Sequence, residues 1–234
     1  MPTILAIDTS SDIASVALFH QGTIHTISQD GFSTHSMSIL PMTQSLLTQN
    51  ELAITDCDAL AFGCGPGSFT GVRTTCGVVQ GIAFGLEIPV IPIVTLEAMA
   101  ESCRQKIQAN HVISLLDARM HEVYWAEYAY QNGEWQTITA PQLSAASKVY
   151  TKNEVVFCGN GLTAYCDELK SIIGHSQKIP DIFPEASAMV RLAVKLFQTG
   201  KTISVDQIQP LYLRNHVALK TVERMALKEK HHVS

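Results

Sequence analysis

Apolar positions along the first hundred residues come in short runs bounded by turns, then in longer stretches spaced three and four apart, the signatures of strands and of amphipathic helices. Thr3–Asp8 (TILAID) is an apolar strand running into Asp8-Thr9-Ser10. Ala14–His20 alternates and reads as a second strand, Gln21-Gly22 turns the chain, and Thr23–Gln29 returns as a third. Ser33–Leu47 reads as a helix that Pro41 should kink. Asp58–Phe62 is a strand, Ser68–Leu86 a long helix with Ser68 placed to cap it, and Pro89–Val94 a short buried strand. Thr95 caps a last helix from Leu96 to about Gln108, so the order is βββαβαβα.

The second half reads similarly. His111–Leu116 is a strand ending at Asp117, Glu122–Tyr130 a long aromatic-rich strand, Asn132-Gly133 a hairpin turn, and Trp135–Thr139 the returning strand. Pro141–Val149 reads as a helix, Glu154–Cys158 as a strand entering Gly159-Asn160-Gly161, Leu162–Ile173 as a helix, and Glu185–Thr199 as another stopped by Gly200. The shared order points to an internal duplication with a break near Ser102–Asn110. The expected units are a first lobe over residues 1–104, a second over 105–205, and a tail over 206–234 that folds back on the first lobe. Two such lobes facing a cleft describe a duplicated α/β architecture, the actin-like, Hsp70 and sugar-kinase fold.

The helix at Ser68–Leu86 has an unusual pattern. Its interior glycines each cost roughly 0.8–1 kcal/mol relative to Ala, which calls for a compensating reason. At 100° per residue, Thr70, Thr74, Gly77, Gly81 and Gly85 share one narrow face, while Val72, Cys76, Val79, Ile82, Ala83 and Leu86 take the opposite one. The branched face suits the protein's own sheet. The small face suits close approach of another helix, either a neighbour in this chain or one from a partner.

With 46% hydrophobic and 16% charged residues, the chain can bury a substantial core. A net charge of −5 argues against a primary nucleic-acid binder. The basic residues Arg214, Lys220, Arg224, Lys228 and Lys230 are diluted by Glu223 and Glu229 and read as a solvated helix face. Six irregularly spaced cysteines with no C-x-x-C read as reduced and buried, in a cytoplasmic protein. The run Thr3–Ile7 is too short for a signal peptide and lacks a basic flank, and no stretch reaches the length of a membrane span.

Three turns would line the cleft. Asp8, Thr9 and Ser10 form a candidate phosphate and cation site, Asp117 and Arg119 stand at the second turn, and Gly159 and Gly161 frame the third. The second turn has no glycine to let a pyrophosphate approach. Gly65-Pro66-Gly67 at a helix start is a potential anion cradle, but no Lys follows it and no G-x-S-x-G elbow is present, so Ser68 reads as a cap and not as a nucleophile. The histidines form no ligand set, and no metal is assigned. As a catalytic nucleotide site the set looks eroded.

The segments ILAIDTSS (4–11), HSMSILP (35–41), GPGSFTGVR (65–73), PVIPIVTLEAMA (89–100), LLDARMHEVY (115–124) and PLYLR (210–214) resemble the TsaB (YeaZ) family of threonylcarbamoyladenosine tRNA modification. The resemblance implies a noncatalytic partner of the related transferase TsaD, which modifies adenosine 37 of tRNAs reading codons that begin with A, with the ATPase TsaE joining them. It implies a homodimer when alone, contact with tRNA only through the complex, and no membrane association. It places the partner contact on the first-lobe helices, and the candidate interface residues in that region are His35, Leu40, Thr70, Arg73, Thr74, Gly77, Gly81 and Gly85. The metal-binding histidines of TsaD fall here on Thr95 and Met99, neither of which can act as an imidazole ligand. No cofactor is required on this reading, and weak ATP or ADP binding is left open. Alternatives are a small ATP-dependent phosphotransferase or ATPase using Asp8 and Asp117, or a glycoprotease-type metallopeptidase.

Overall fold

Ile4, Leu5, Ala6 and Ile7 are all fully buried, as a central strand covered on both faces requires. In the computed structural model, which describes residues 1–31 and 35–214 (His35 without its side chain), they form β1 (Ile4–Asp8). β1 pairs antiparallel with β2 (Ile13–His20), which pairs with β3 (Thr23–Asp30), and parallel with β4 (Ala59–Gly65), which pairs with β5 (Val90–Val94). The first sheet therefore has the order β3-β2-β1-β4-β5. The second is built from β6 (His111–Asp117), β7 (Glu122–Gln131), β8 (Glu134–Ala145), β9 (Val156–Cys158) and β10 (Lys178–Ile179), in the order β10-β9-β6-β7-β8. Renumbered from its own first strand, that is the same arrangement, and the fold is the duplicated two-lobed actin-like one.

Alternation along the strands decides what each face meets. Leu5 and Ile7 join a core with residues of α1 (His35–Gln49) and α2 (Phe69–Leu86). Ile4 and Ala6 face Met189, Val190 and Ala193 of α6 (Ala186–Gln198). In the second sheet, Ile113 and Leu115 face Leu162 of α4 (Gly161–Ala164) and Leu169 and Ile173 of α5 (Cys166–Ile173). The opposite side meets Leu96, Met99 and Cys103 of α3 (Thr95–Ile107).

Packing therefore crosses the linear division at 104/105 and 205/206. α3, from the first half, packs on the second sheet as well as on β4 and β5, whereas α6, from the second half, covers a face of the first sheet, and the two helices touch. Ile203 exchanges backbone hydrogen bonds with Val90, and the Leu211 N–H donates to the Cys64 carbonyl, so these two residues contact the first sheet; the rest of the tail after Arg214 lies outside the described residues.

Several details depart from the sequence reading. Pro141–Val149 is not a helix. β8 continues through Pro141 to Ala145, pairing Gln142 with Trp125 and Leu143 with Tyr124, and only a 3-10 turn (Ala146–Lys148) follows. β8 is an edge strand of its sheet, where proline's missing N–H is tolerated. The helix at 162–173 is broken at Tyr165, and the two-residue β10 was not anticipated. All six cysteines are free thiols, but Cys166 is exposed.

Ser68 caps α2, its hydroxyl accepting from the Gly71 N–H at 3.3 Å. The first turn of α2 lies hard against the turn after β1. A Cβ on Gly71 would run into the Thr9 carbonyl oxygen, and one on Gly67 into that of Ser10. At Gly85 an added Cβ would meet nothing of the described residues within 4 Å. Gly71→Ala should therefore destabilise the chain by about 1–3 kcal/mol through backbone overlap, while Gly85→Ala should stabilise it by up to about 1 kcal/mol through helix propensity. Urea denaturation of the two variants checks the opposite signs.

Candidate functional site

The three candidate turns come to the carboxyl ends of their strands, as expected of an open α/β sheet, but they are not equally available. Asp8 is fully buried at the end of β1. Its Oδ2 accepts from the Ser10 hydroxyl at 2.9 Å and from the Ser10 N–H at 3.2 Å. Its Oδ1 has no hydrogen-bond partner among the described residues and lies over Gly63, where an added Cβ would collide with it. Burial pushes the Asp8 carboxyl up to about 7, against which the two Ser10 hydrogen bonds pull weakly. Thr9 is also fully buried. Its N–H donates to Thr75 Oγ1 at 2.9 Å and its hydroxyl to the Gly71 carbonyl at 2.7 Å, so both groups are consumed by α2. Gly159 lies against Leu115 of β6 and Met99, where a side chain would not fit, and Gly161 packs tightly on Leu115, so the two serve close packing of β9 and α4 on that strand. Thr95 and Met99 are buried too, and the Thr95 hydroxyl donates to the Pro66 carbonyl. Among the described residues no three His, Cys, Asp or Glu side chains gather to hold a metal ion.

Ser10, Asp117 and Arg119 do meet, on the wall of an inter-lobe cleft of about 740 Å³. Asp117 is heavily committed: Oδ1 accepts from the Arg119 N–H and from the Tyr165 hydroxyl, both at 2.8 Å, and Oδ2 pairs with the Arg119 guanidinium at 3.1 Å. Asn160, between the two glycines of the third turn, accepts from the Asp117 N–H at 2.9 Å.

The turn joining β6 to β7 carries Arg119, Met120 and His121 at φ of 62°, 58° and 60°. Three consecutive left-handed residues other than glycine cost of order 1–2 kcal/mol each. The turn is pinned from one side by Asp117 and from the other by Arg214 of the tail. Arg214 pairs with Glu122 at 2.9 Å and donates to the Ala118 carbonyl at 3.0 Å.

The sequence reading missed the aromatic side of the cleft. Arg73, placed in advance on the partner face, also lines the cleft. Its guanidinium lies over the Phe69 ring at 3.3 Å from the centroid and near Tyr212 at 4.8 Å. Tyr124 completes the lining. The signal was present in the PLYLR segment and in the Tyr at the end of LLDARMHEVY, but a lone Tyr in a strand or tail carries no directional information.

The other candidate region is the outer face of α2. Thr70, Arg73, Gly77, Gly81 and Gly85 are exposed and Thr74 is half-buried, whereas Val72, Cys76, Val79 and Ala83 are buried. Added Cβ atoms at Gly77, Gly81 and Gly85 would meet nothing within 4 Å, so no side chain of the described residues fills this edge. Phe84 beside it is 73% exposed and Leu40 on α1 is 51% exposed. The His35 side chain lies outside the described residues, as do Lys220, Arg224, Lys228 and Lys230.

The chain has clear relatives among known proteins. The family model described as "TsaD: tRNA N6-adenosine threonylcarbamoyltransferase" matches residues 19–221. The Escherichia coli K12 "tRNA threonylcarbamoyladenosine biosynthesis protein TsaB" is 40% identical over 225 residues, covering 93% of this chain and 96% of the relative. The Haemophilus influenzae protein of the same name is 39% identical over 230 residues, with the same coverages. The solved structure of "YeaZ from Pseudomonas aeruginosa" superposes with a TM-score of 0.86 at 33% identity, over 91% of this chain and all of that one.

The Asp8 environment makes stability depend on pH. The folded carboxyl titrates near 7 and the unfolded one near its ordinary 3.8, so over that interval the unfolded chain releases a proton that the folded chain keeps. The contribution is fully present below pH 3.8 and is lost as pH rises through about 7. Glu97, held up at about 7 by burial and then by Glu101, adds a slope of the same sign. Stability should therefore fall between pH 5 and pH 8. Asp8→Asn, isosteric with the protonated acid, should flatten that fall by up to about 1.4 kcal/mol per pH unit below pH 7. Chemical denaturation of both proteins across this range measures the difference.

Proposed function

This chain belongs to the TsaB (YeaZ) family, and from that premise we propose that it is a noncatalytic partner subunit in the synthesis of threonylcarbamoyladenosine at position 37 of tRNA. On this reading it holds the TsaD transferase in the cytoplasm, the ATPase TsaE joins the pair, and tRNA is met through the assembly. The observation that carries the proposal is the outer edge of α2. Gly77, Gly81 and Gly85 give up helix propensity, and nothing among the described residues takes the space they leave open. A second helix can approach such an edge closely, with Phe84 and Leu40 as apolar flanks. The same edge offers a self-complementary surface for a homodimer when TsaD is missing.

The site chemistry supports a noncatalytic role. A phosphotransferase would need Asp8 at the ligand, and Asp8 is enclosed by Ser10 and Gly63. The Thr9 N–H and hydroxyl are spent on α2. A metallopeptidase would need imidazole or carboxylate ligands where this chain has Thr95 and Met99.

The test is reconstitution with purified TsaD, TsaE and tRNA. Wild-type chain should be needed for modification. Gly77→Leu or Gly81→Leu should leave the melting temperature of the isolated chain unchanged or raised, yet abolish co-elution with TsaD and lower modification by about tenfold or more. Full association in both variants, or modification that proceeds without this chain, overturns the proposal.

A further inference from the structure

The partner role leaves the inter-lobe cleft without a use. Its volume of about 740 Å³ is that of a small-molecule site. Its lining differs from that of a phosphate-loop cleft. The groups that would cradle a polyphosphate and its metal ion are closed off: Asp8 and Thr9 are buried, and the glycines of the third turn are packed on Leu115. In their place stand the rings of Phe69, Tyr124 and Tyr212 and the guanidinium groups of Arg73, Arg119 and Arg214. The floor, with Val72, Leu116 and Leu211, is apolar and suits a planar ring better than a bare anion.

We propose that this cleft holds a nucleoside monophosphate unit, its base stacked on the Tyr212 side and its single phosphate held by Arg119 and Arg73, without a metal ion. The unit can be a free mononucleotide or an unpaired nucleotide of an RNA strand.

Four observations carry this. Arg73 is oriented, lying over Phe69 with one Nη given to the Phe69 carbonyl at 3.0 Å, which leaves most of its donors for a ligand. Among the described residues Arg119 makes one ion pair, to Asp117, and its side chain is 78% exposed at the mouth. It is held there by a left-handed turn whose strain Asp117 and Arg214 sustain, and strain of that kind concentrates where position matters. Ser68, the cap of the 18-residue α2, lines the same wall, so the positive end of that helix adds to the arginines. Finally, the cleft gathers three arginines: Arg119 pairs with Asp117 and Arg214 with Glu122, while Arg73 makes no ion pair among the described residues. Exposed rings beside arginines are how proteins hold single unpaired bases.

Calorimetric titration of the full chain with adenosine 5′-monophosphate tests the proposal. Binding should saturate and should be the same in magnesium and in EDTA. Adenosine and inorganic phosphate should each bind about tenfold more weakly or worse, since each lacks one of the two anchors. Arg119→Ala and Tyr212→Ala should each weaken binding about tenfold with an unchanged melting temperature. Amide chemical-shift changes in the wild-type protein should map to residues near Arg119, Tyr124 and Tyr212, a readout that does not depend on any variant folding. A single-stranded oligoribonucleotide that binds at least about tenfold more tightly than the mononucleotide identifies RNA as the source. Equal or weaker binding of the oligonucleotide identifies the free nucleotide. No saturation by either probe up to about 5 mM overturns the proposal. So does binding that requires magnesium, that survives Arg119→Ala undiminished, or whose shifts map to the outer face of α2. The titration uses this chain alone, so its outcome is separate from the partner reading.

Discussion

The turn after β1 is pressed into the start of α2 at a distance that only glycine permits, and most of what is distinctive about the molecule follows from that contact. Ser68 donates its backbone N–H to the Ser10 carbonyl at 2.7 Å, and Thr9 bonds both the Gly71 carbonyl and the Thr75 hydroxyl. These bonds fix the rotation of α2 about its axis. With Gly71, Thr75 and Val79 turned toward the sheet, Gly77, Gly81 and Gly85 must face outward. The same bonds use up the hydroxyl and N–H that a phosphate would need. One contact thus both withholds the Thr9 turn from a phosphate and sets the glycine edge of α2 outward.

The glycines divide accordingly. At positions 63, 67, 71 and 159 a neighbouring atom occupies the place of a side chain, and at 161 Leu115 crowds it. At positions 77, 81 and 85 no atom of the described residues does. The helical wheel identified the second group because spacing alone fixes which residues share a face. It could not tell the cases apart at Gly159 and Gly161, whose role depends on Leu115, more than forty residues away in sequence.

Much of the fold was legible for the same reason: period-two and period-three-to-four patterns survive without knowledge of the partner surfaces. The failures came where the partner decides. Pro141 looks like a helix start in isolation and becomes tolerable in a strand only because β8 lies at a sheet edge. The exchange of α3 and α6 between sheets leaves no local trace, since each helix shows a buried stripe whichever sheet it covers. Asp8 looked like a ligand because an acid at the end of an apolar strand usually is exposed there. Its enclosure is set by Gly63 and Met189, on elements far along the chain. The aromatic cleft was invisible because Phe69, Tyr124 and Tyr212 come from three separate segments.

That exchange of helices has a consequence for synthesis. When β5 has left the ribosome, one side of the first sheet, including Ile4, Ala6, Ala61 and Ile91, still lacks its cover, because α6 does not end until Gln198. At translation rates of about 5–20 residues per second, that apolar surface stays bare for roughly 5–20 seconds in the nascent chain. The first sheet therefore cannot complete its packing until the chain has been made through Gln198.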